Sequence, residues 1–185
     1  MKYTPEPKNK KTEVAAVASF LTSVVLLYFG GQSYTKGRGA VQALGVLCLA
    51  ISGFFIIKKL KSYSYSITPS EEDAGRSVSE LLPSDLTFSV YASYGKGTGN
   101  LTAQLDLGDL KEAVALPAKY SEKQRVLKGL GKMQLYYYTV TFLPPESTLL
   151  VFEKDGGVRT GIVIEPDGDM KGFFEEAARI NAKNE

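Results

Sequence analysis

The residues able to do chemistry must each be weighed against the element that carries them. Gly95-Lys96-Gly97-Thr98-Gly99 has the glycine, lysine and hydroxyl content of a phosphate-cradling loop. The Walker spacing is absent, however, and the run sits between two alternating segments, where a hairpin turn calls for glycine. Gly129-Leu-Gly-Lys132 fails in the same way, because Val126 stands where the first glycine belongs. Asp167-Gly168-Asp169 opens like a calcium loop, but Lys171 falls at the third carboxylate position and Ala178 at the bidentate glutamate. That run reads as a turn capping a helix, and clustered carboxylates such as Asp167 and Asp169 are the only support the sequence offers an enzyme reading.

Two groups point to binding. Lys119, Lys123, Arg125, Lys128 and Lys132 form a cationic segment that could face a membrane surface or an acidic partner; a solvated helix face is the competing reading. Tyr136, Tyr137 and Tyr138 put aromatic rings on both faces of one strand. One face must be core, and the other is either packing or a partner site, with Tyr136 and Tyr138 as candidates. Asn100-Leu101-Thr102 matches a glycosylation sequon, a tripeptide common by chance.

The absences are as informative. The 185 residues hold no histidine, no tryptophan and a single cysteine, Cys48. Histidine-dependent triads, His/Cys zinc sites and an internal disulfide are therefore excluded, and no cofactor or metal is expected. The formal charge of +2 conceals an asymmetry: residues 1–61 carry +7 and residues 62–185 carry −5. An acidic second part argues against nucleic acid as a partner.

The elements that position these residues start with two apolar runs without charge, residues 14–29 and 40–57, of 16 and 18 residues. At about 1.5 Å per residue the longer spans about 27 Å, close to a bilayer's hydrocarbon thickness. The ten residues between them are polar and glycine-rich, which predicts a transmembrane hairpin with helices over about 14–31 and 40–57. A signal peptide is the competing reading of the first run. Its length, the lack of an A-x-A-like site and the second run ten residues later favour an uncleaved helix. Lys8, Lys10, Lys11, Lys58, Lys59 and Lys61 flank the hairpin and outnumber Lys36 and Arg38 between the runs, placing both termini in the cytoplasm of a multi-pass cell-membrane protein. Within the hairpin, Ala15, Ser19 and Ser23 recur every fourth residue, and Gly45, Cys48 and Ser52 at three and four. Such stripes let helices approach closely in lipid, but small residues are also common in apolar helices generally, and the sequence leaves both readings open. Cys48 reads as packing, since a thiol in lipid resists ionisation.

Residues 1–13 read as a flexible cytoplasmic tail, and residues 62–185 as one soluble domain. Alternation marks strands at Tyr63–Thr68, Asp85–Tyr94, Asn100–Leu107, Leu110–Leu116, Gln134–Phe142, Ser147–Lys154 and Val158–Glu165. An acidic stretch after Thr68, with Glu71, Glu72 and Asp73, holds a helical turn at most. Tyr120–Met133 is a short helix or ordered loop broken at Gly129 and Gly131, and a last amphipathic helix begins near Met170.

Seven strands closed by a C-terminal helix make an α+β order that resembles the pleckstrin-homology-like superfold. More specifically, the chain is similar to small bacterial membrane proteins of uncharacterised function in which a transmembrane hairpin precedes such a domain. The resemblance rests on Tyr63-Ser-Tyr-Ser-Ile-Thr directly after the lysines, the turn at Gly95–Gly99, Asp109-Leu-Lys-Glu-Ala-Val and Thr160-Gly-Ile-Val-Ile-Glu-Pro. It implies an antiparallel barrel, or orthogonal sheets, plugged by the final helix; the long acidic insertion departs from the pattern. No activity comes with it, because the fold hosts many kinds of binding. The expectation is a non-enzymatic module near the membrane that binds a protein or peptide, or alternatively senses anionic lipid through the Lys119–Lys132 segment. At the first strand's loop, Glu71, Glu72 and Asp73 would repel an anionic headgroup.

Overall fold

The computed structural model describes the chain apart from residues 7–10, 33–36, 71–72, 74, 95–98, 142–143, 145, 155–156 and 184–185, and at 11–13, 58–60 and 79 describes the backbone alone. The chain divides into two compact units, Pro7–Lys61 on one hand and Met1–Glu6 with Ser62–Glu185 on the other.

The first unit is a helical hairpin of α1 (Lys11–Gly31) and α2 (Arg38–Leu60). Gly37 starts the second helix in the left-handed region at φ 70°, a conformation that costs glycine nothing. Both helices are long and apolar enough to cross a membrane, over Val14–Gly31 and Arg38–Ile57. Only 11% of either span is buried. Val17, Phe20, Leu21, Val46, Leu47 and Ile56 are all exposed, so the pair presents its apolar side chains outward. A helix from a soluble core would bury them.

The second unit is α+β. Its first sheet runs in the order β1-β2-β3-β4, formed by Lys2–Tyr3, Lys61–Pro69, Leu86–Tyr94 and Asn100–Asp106. Its second sheet holds β5 (Leu110–Leu116), β6 (Gln134–Tyr137), β7 (Ser147–Lys154) and β8 (Val158–Ile164) in the order β5-β7-β8-β6. Alternation does its expected work in the first sheet: Tyr63, Tyr65 and Ile67 of β2 and Leu86, Phe88 and Val90 of β3 turn inward. They meet Leu150 and Phe152 of β7, Ile162 and Ile164 of β8, and Met170, Phe174, Ala177 and Ala178 of α4 (Gly168–Lys183) in one core. The other face of the second sheet is buried too. Leu149, Val151 and Val163 pack under Leu127 of α3 (Tyr120–Gly129) in a second cluster. Burial on both faces explains why β7 reads as a nearly continuous apolar run.

The structure corrects several expectations. Residues 1–3 are not a flexible tail: Lys2 and Tyr3 pair with Ser66 and Tyr65 as a short β1. A two-residue strand is too short to show alternation. The second sheet is not wholly antiparallel, because β6 runs parallel to β8, with Leu135 opposite Gly161. The α3 crossover carries the chain over the sheet face and returns it outside β8. Among the described residues the two four-stranded sheets do not close into a barrel. The strand expected over Gln134–Phe142 ends at Tyr137, and the acidic stretch carries short 3-10 turns at Val78–Glu80 and Pro83–Asp85. Asp167 caps α4, accepting the Met170 N–H at 2.9 Å.

Candidate functional site

The hairpin seam brings together most of the small residues read from the sequence. Ser19 Oγ donates to the Cys48 carbonyl at 2.8 Å, and Ser52 Oγ donates back to the Ala16 carbonyl at 3.1 Å. Each helix thus sends one hydroxyl to the other's backbone. Ser23 and Ser52 are fully or almost fully buried, and Ser23 Oγ returns to the Phe20 carbonyl at 2.7 Å. A Cβ on Gly45 would lie 2.9 Å from Leu27 Cγ and 3.2 Å from Leu27 N, so Leu27 and its turn of α1 would have to give way. Ala15 lies outside this seam on an exposed face, and Ala16 takes its place. Gly30, absent from the sequence reading, belongs to the seam, since its Cβ would fall 2.7 Å from Gln42 Cγ. Of the flanking lysines, Lys8 and Lys10 lie outside the described residues, as do the side chains of Lys11, Lys58 and Lys59; Lys61 is half-buried at the start of β2.

The cationic segment separates into two kinds of residue. Lys119, Arg125, Lys128 and Lys132 are exposed, with Lys119 paired to Glu122 at 3.4 Å. Lys123 does not belong with them. It is 8% exposed and donates to Ser147 Oγ at 3.1 Å. Desolvation pulls its ammonium below the usual lysine range, while the Glu165 carboxylate acts in the opposite sense. The helical period explains the inversion: Lys123 lies one turn before Leu127, the residue that seats α3 on the sheet.

The tyrosines of β6 divide by face. Tyr136 and Tyr138 stack with centroids 6.3 Å apart, and Tyr138 packs on the main core, meeting Tyr63 edge-on at 5.5 Å. Tyr137 points to the α3 side, where burial and the neighbouring Tyr120 raise its phenol above the usual range. Tyr136 and Tyr137 remain 39% and 49% exposed. Sequence reasoning chose Tyr136 and Tyr138 as the candidate pair; the exposed pair is Tyr136 and Tyr137.

A buried polar set escaped the sequence reading. Tyr65, with no exposed surface, donates through its hydroxyl to the Tyr138 carbonyl at 2.6 Å and accepts the Glu165 N–H at 3.1 Å. Glu165 Oε2 accepts the N–H groups of Val140 and Thr141 at 2.6 and 3.1 Å. These bonds hold the segment after β6 against the end of β8. The one available signal was Glu165 ending an apolar strand, and it names no partner.

The sheet edges differ in how open they are. α4 packs along β5. At β4 the register slips between Val90 and Tyr91, giving β4 an extra residue near Thr102 that turns Leu101 outward. Such a bulge blunts an edge against pairing. β6 has no such shift in its pairing, and its outer edge has no strand beside it among the described residues. Two concavities accompany these edges. One, of about 300 Å³, is lined by Leu116, Ser147, Thr148, Asp167 and Lys171. The other, of about 510 Å³, lies on the first sheet and is lined by Lys2, Thr4, Ser62, Ser64, Tyr91 and Ser93. The turn residues Gly95–Thr98, and Glu71 and Glu72, lie outside the described residues, and no cluster of metal-ligating side chains occurs among the described ones. Comparisons with protein-family models, with curated proteins and with solved structures find no match.

Proposed function

We propose that this chain is a membrane-anchored binding protein rather than an enzyme, with a pleckstrin-homology-like domain held at the cytoplasmic face of the cell membrane to recruit a protein or peptide. The observation that carries the reading is the outer edge of β6, which has no strand beside it among the described residues and whose Tyr136 and Tyr137 are 39% and 49% exposed. An extended peptide adding to it would gain main-chain hydrogen bonds, with the two tyrosines as anchors. Exposed Lys119, Arg125, Lys128 and Lys132 in and beside α3 favour a partner of acidic character. The apolar hairpin supports the anchor, and the excess of lysines at its flanks supports the cytoplasmic side. Two sheets around one core with a C-terminal helix packed into it support kinship with the pleckstrin-homology-like superfold and the small bacterial membrane proteins that carry it.

The test is affinity capture on the full chain in nanodiscs, run beside a variant carrying Tyr137→Ala, Arg125→Glu and Lys128→Glu. All three positions are exposed, so the fold is retained. A partner captured by the native chain and lost with the variant is the expected result; identical captures would refute the β6 edge as the binding surface.

The same exposed cations favour a second reading, in which the domain senses anionic lipid directly. Flotation with anionic vesicles would then weaken as salt rises, and the Arg125→Glu, Lys128→Glu chain would lose most of the anionic preference.

A further inference from the structure

The hollow of about 300 Å³ at one end of the second sheet is lined by charges of both signs. Alternation places its central residue. Leu150 and Phe152 of β7 face the main core, so Thr148, two residues before Leu150, shares their face. Ala115 of β5 lies opposite Thr148 in register. Here α4 begins, and the small Ala115 and the bare Cα of Gly168 leave a space beside its first turn. A Cβ on Gly168 would meet nothing within 4 Å. Thr148 is 2% exposed, yet its hydroxyl has no hydrogen-bond partner among the described residues, and it lines this hollow. Buried hydroxyls in native proteins are nearly always partnered, so one left open beside a cavity points to an occupant.

Two further donors border the same space. Asp167 takes the Met170 N–H on its carboxylate and the Lys171 N–H on its carbonyl. That leaves the Gly168 and Asp169 N–H groups of the first turn without a helical acceptor. Lys171 also lines the hollow, and its ion pair with Glu175, at 3.9 Å between half-exposed side chains, restrains it weakly. The lining also holds two carboxylates, Glu146 and Asp167. A lone anion would meet those carboxylates, and a lone cation would meet Lys171 and the positive end of α4. A ligand with both charges on neighbouring carbons satisfies the whole lining. The volume is at the small end for small-molecule sites. We propose that this hollow binds a small zwitterion of the α-amino acid class. Its carboxylate rests on Thr148, Lys171 and the Gly168 N–H, and its ammonium on Asp167 and Glu146. All five residues belong to one compact unit, and none is part of the β6 surface.

Ligand-observed nuclear magnetic resonance on the full chain in nanodiscs tests it, with glycine, alanine, serine, leucine, glutamate and lysine as probes and empty nanodiscs as the blank. At least one probe should bind saturably. Its amide, which lacks the carboxylate, and its N-acetyl derivative, which lacks the ammonium, should each bind about tenfold more weakly. Thr148→Val keeps the shape and removes the hydroxyl, so it should weaken binding about tenfold. The same change should leave the melting temperature of the unliganded chain unchanged or higher, because no hydrogen bond within the protein is lost. Asp167→Asn keeps the helix cap and removes the charge. It should weaken the amino acid and leave its N-acetyl derivative unchanged, whereas Lys171→Gln should weaken the amino acid and leave its amide unchanged. The Lys171 side chain is 44% exposed, so its variant reports on binding even if the other two fail to fold. Equal binding of amino acid and amide, or equal affinities across the variants, overturns the proposal. So does glucose binding in place of every amino acid, or no saturable binding by any of the probes.

Discussion

At the scale of single residues, Tyr65 has the most consequence. Its hydroxyl joins β2 to the ends of β6 and β8 through two hydrogen bonds, and the ring lies fully buried between Tyr3 and Phe88. Tyr65→Phe keeps the ring and orphans the Tyr138 carbonyl and the Glu165 N–H, so a loss of about 1–3 kcal/mol is expected near neutrality. Burial also raises the Tyr65 phenol well above its ordinary value. In the unfolded chain that phenol ionises near pH 10, whereas in the fold it keeps its proton. Above about pH 10 the folded state therefore holds more protons than the unfolded one, and stability falls as pH rises by up to about 1.4 kcal/mol per unit. Thermal unfolding of the detergent-solubilised chain, followed by near-ultraviolet dichroism between pH 7 and 11, should show a shallower alkaline decline in Tyr65→Phe. Parallel declines would show that Tyr65 does not control it. Neither Tyr65's partners nor the inversion of Lys123 was legible beforehand. Alternation told that Tyr65 faces the core, but a hydrogen bond to a residue 73 positions away depends on tertiary packing. Lys123 looked like one more surface cation because neighbours in sequence share charge, not face. Gly161 was equally silent: only the packed sheet reveals that a Cβ there would lie 2.6 Å from Leu135 and 2.7 Å from Met133 Sδ.

Elements were far more legible, because each announces itself through its own period. The two apolar helices, six of the strands and the C-terminal helix stand where the sequence patterns placed them, within a few residues at the ends, while β6 starts where expected and stops at Tyr137. What pattern could not carry was pairing. That β6 lies parallel to β8 rather than antiparallel to a neighbour follows from the route of α3 over the sheet, and no local period encodes a route. The C-terminal helix shows the same division. Its apolar face was readable, yet Asn181, which donates to the Leu107 and Leu110 carbonyls at 2.7 and 2.8 Å, was not. Within the hairpin the helices are joined by two kinds of contact, and they should differ in strength. Hydrogen bonds between helices in lipid contribute only about 0.6 kcal/mol on average, so Ser19→Ala should loosen the pair slightly. Gly45→Leu instead puts a Cβ 2.9 Å from Leu27 Cγ and 3.2 Å from Leu27 N and adds a bulky side chain beyond it, so the two helices must move apart to hold it. Energy transfer between dyes on cysteines replacing Val14 and Ile57, in a Cys48→Ala chain, should fall markedly for Gly45→Leu and little for Ser19→Ala. The reverse order would mean that hydroxyls, not close approach, hold the seam.

For the whole molecule, β1 bears on topology. The residues before the hairpin and the residues after it belong to one folded unit, joined by the pairing of Lys2 with Ser66 and Tyr3 with Tyr65 and by the Ile67 N–H on the Met1 carbonyl. A chain cannot form such a ladder across a bilayer, because each of its groups would first have to be desolvated. The spans must therefore cross as a pair, or not at all, whatever the flanking charges say. For the two orientations that remain, the excess of lysines outside the spans is the ground of the proposal that both ends lie inside. These two arguments are separable by experiment. In a Cys48→Ala background, single cysteines at Ser33, between the spans, and at Ala182, near the end of α4, should react from opposite sides of sealed vesicles. Ser33 should label from the exterior of intact cells and Ala182 only after permeabilisation. Labelling of Ser33 from inside and Ala182 from outside would preserve the hairpin and reverse the charge argument, placing the domain outside the cell. Labelling of both from one side would contradict the paired crossing itself. Charge-reversing the flanks supplies the cross-check: Lys58→Glu, Lys59→Glu and Lys61→Glu together should weaken the orientation preference without splitting the spans. A ladder between residues 2–3 and 65–66 forbids any product in which only one helix has crossed.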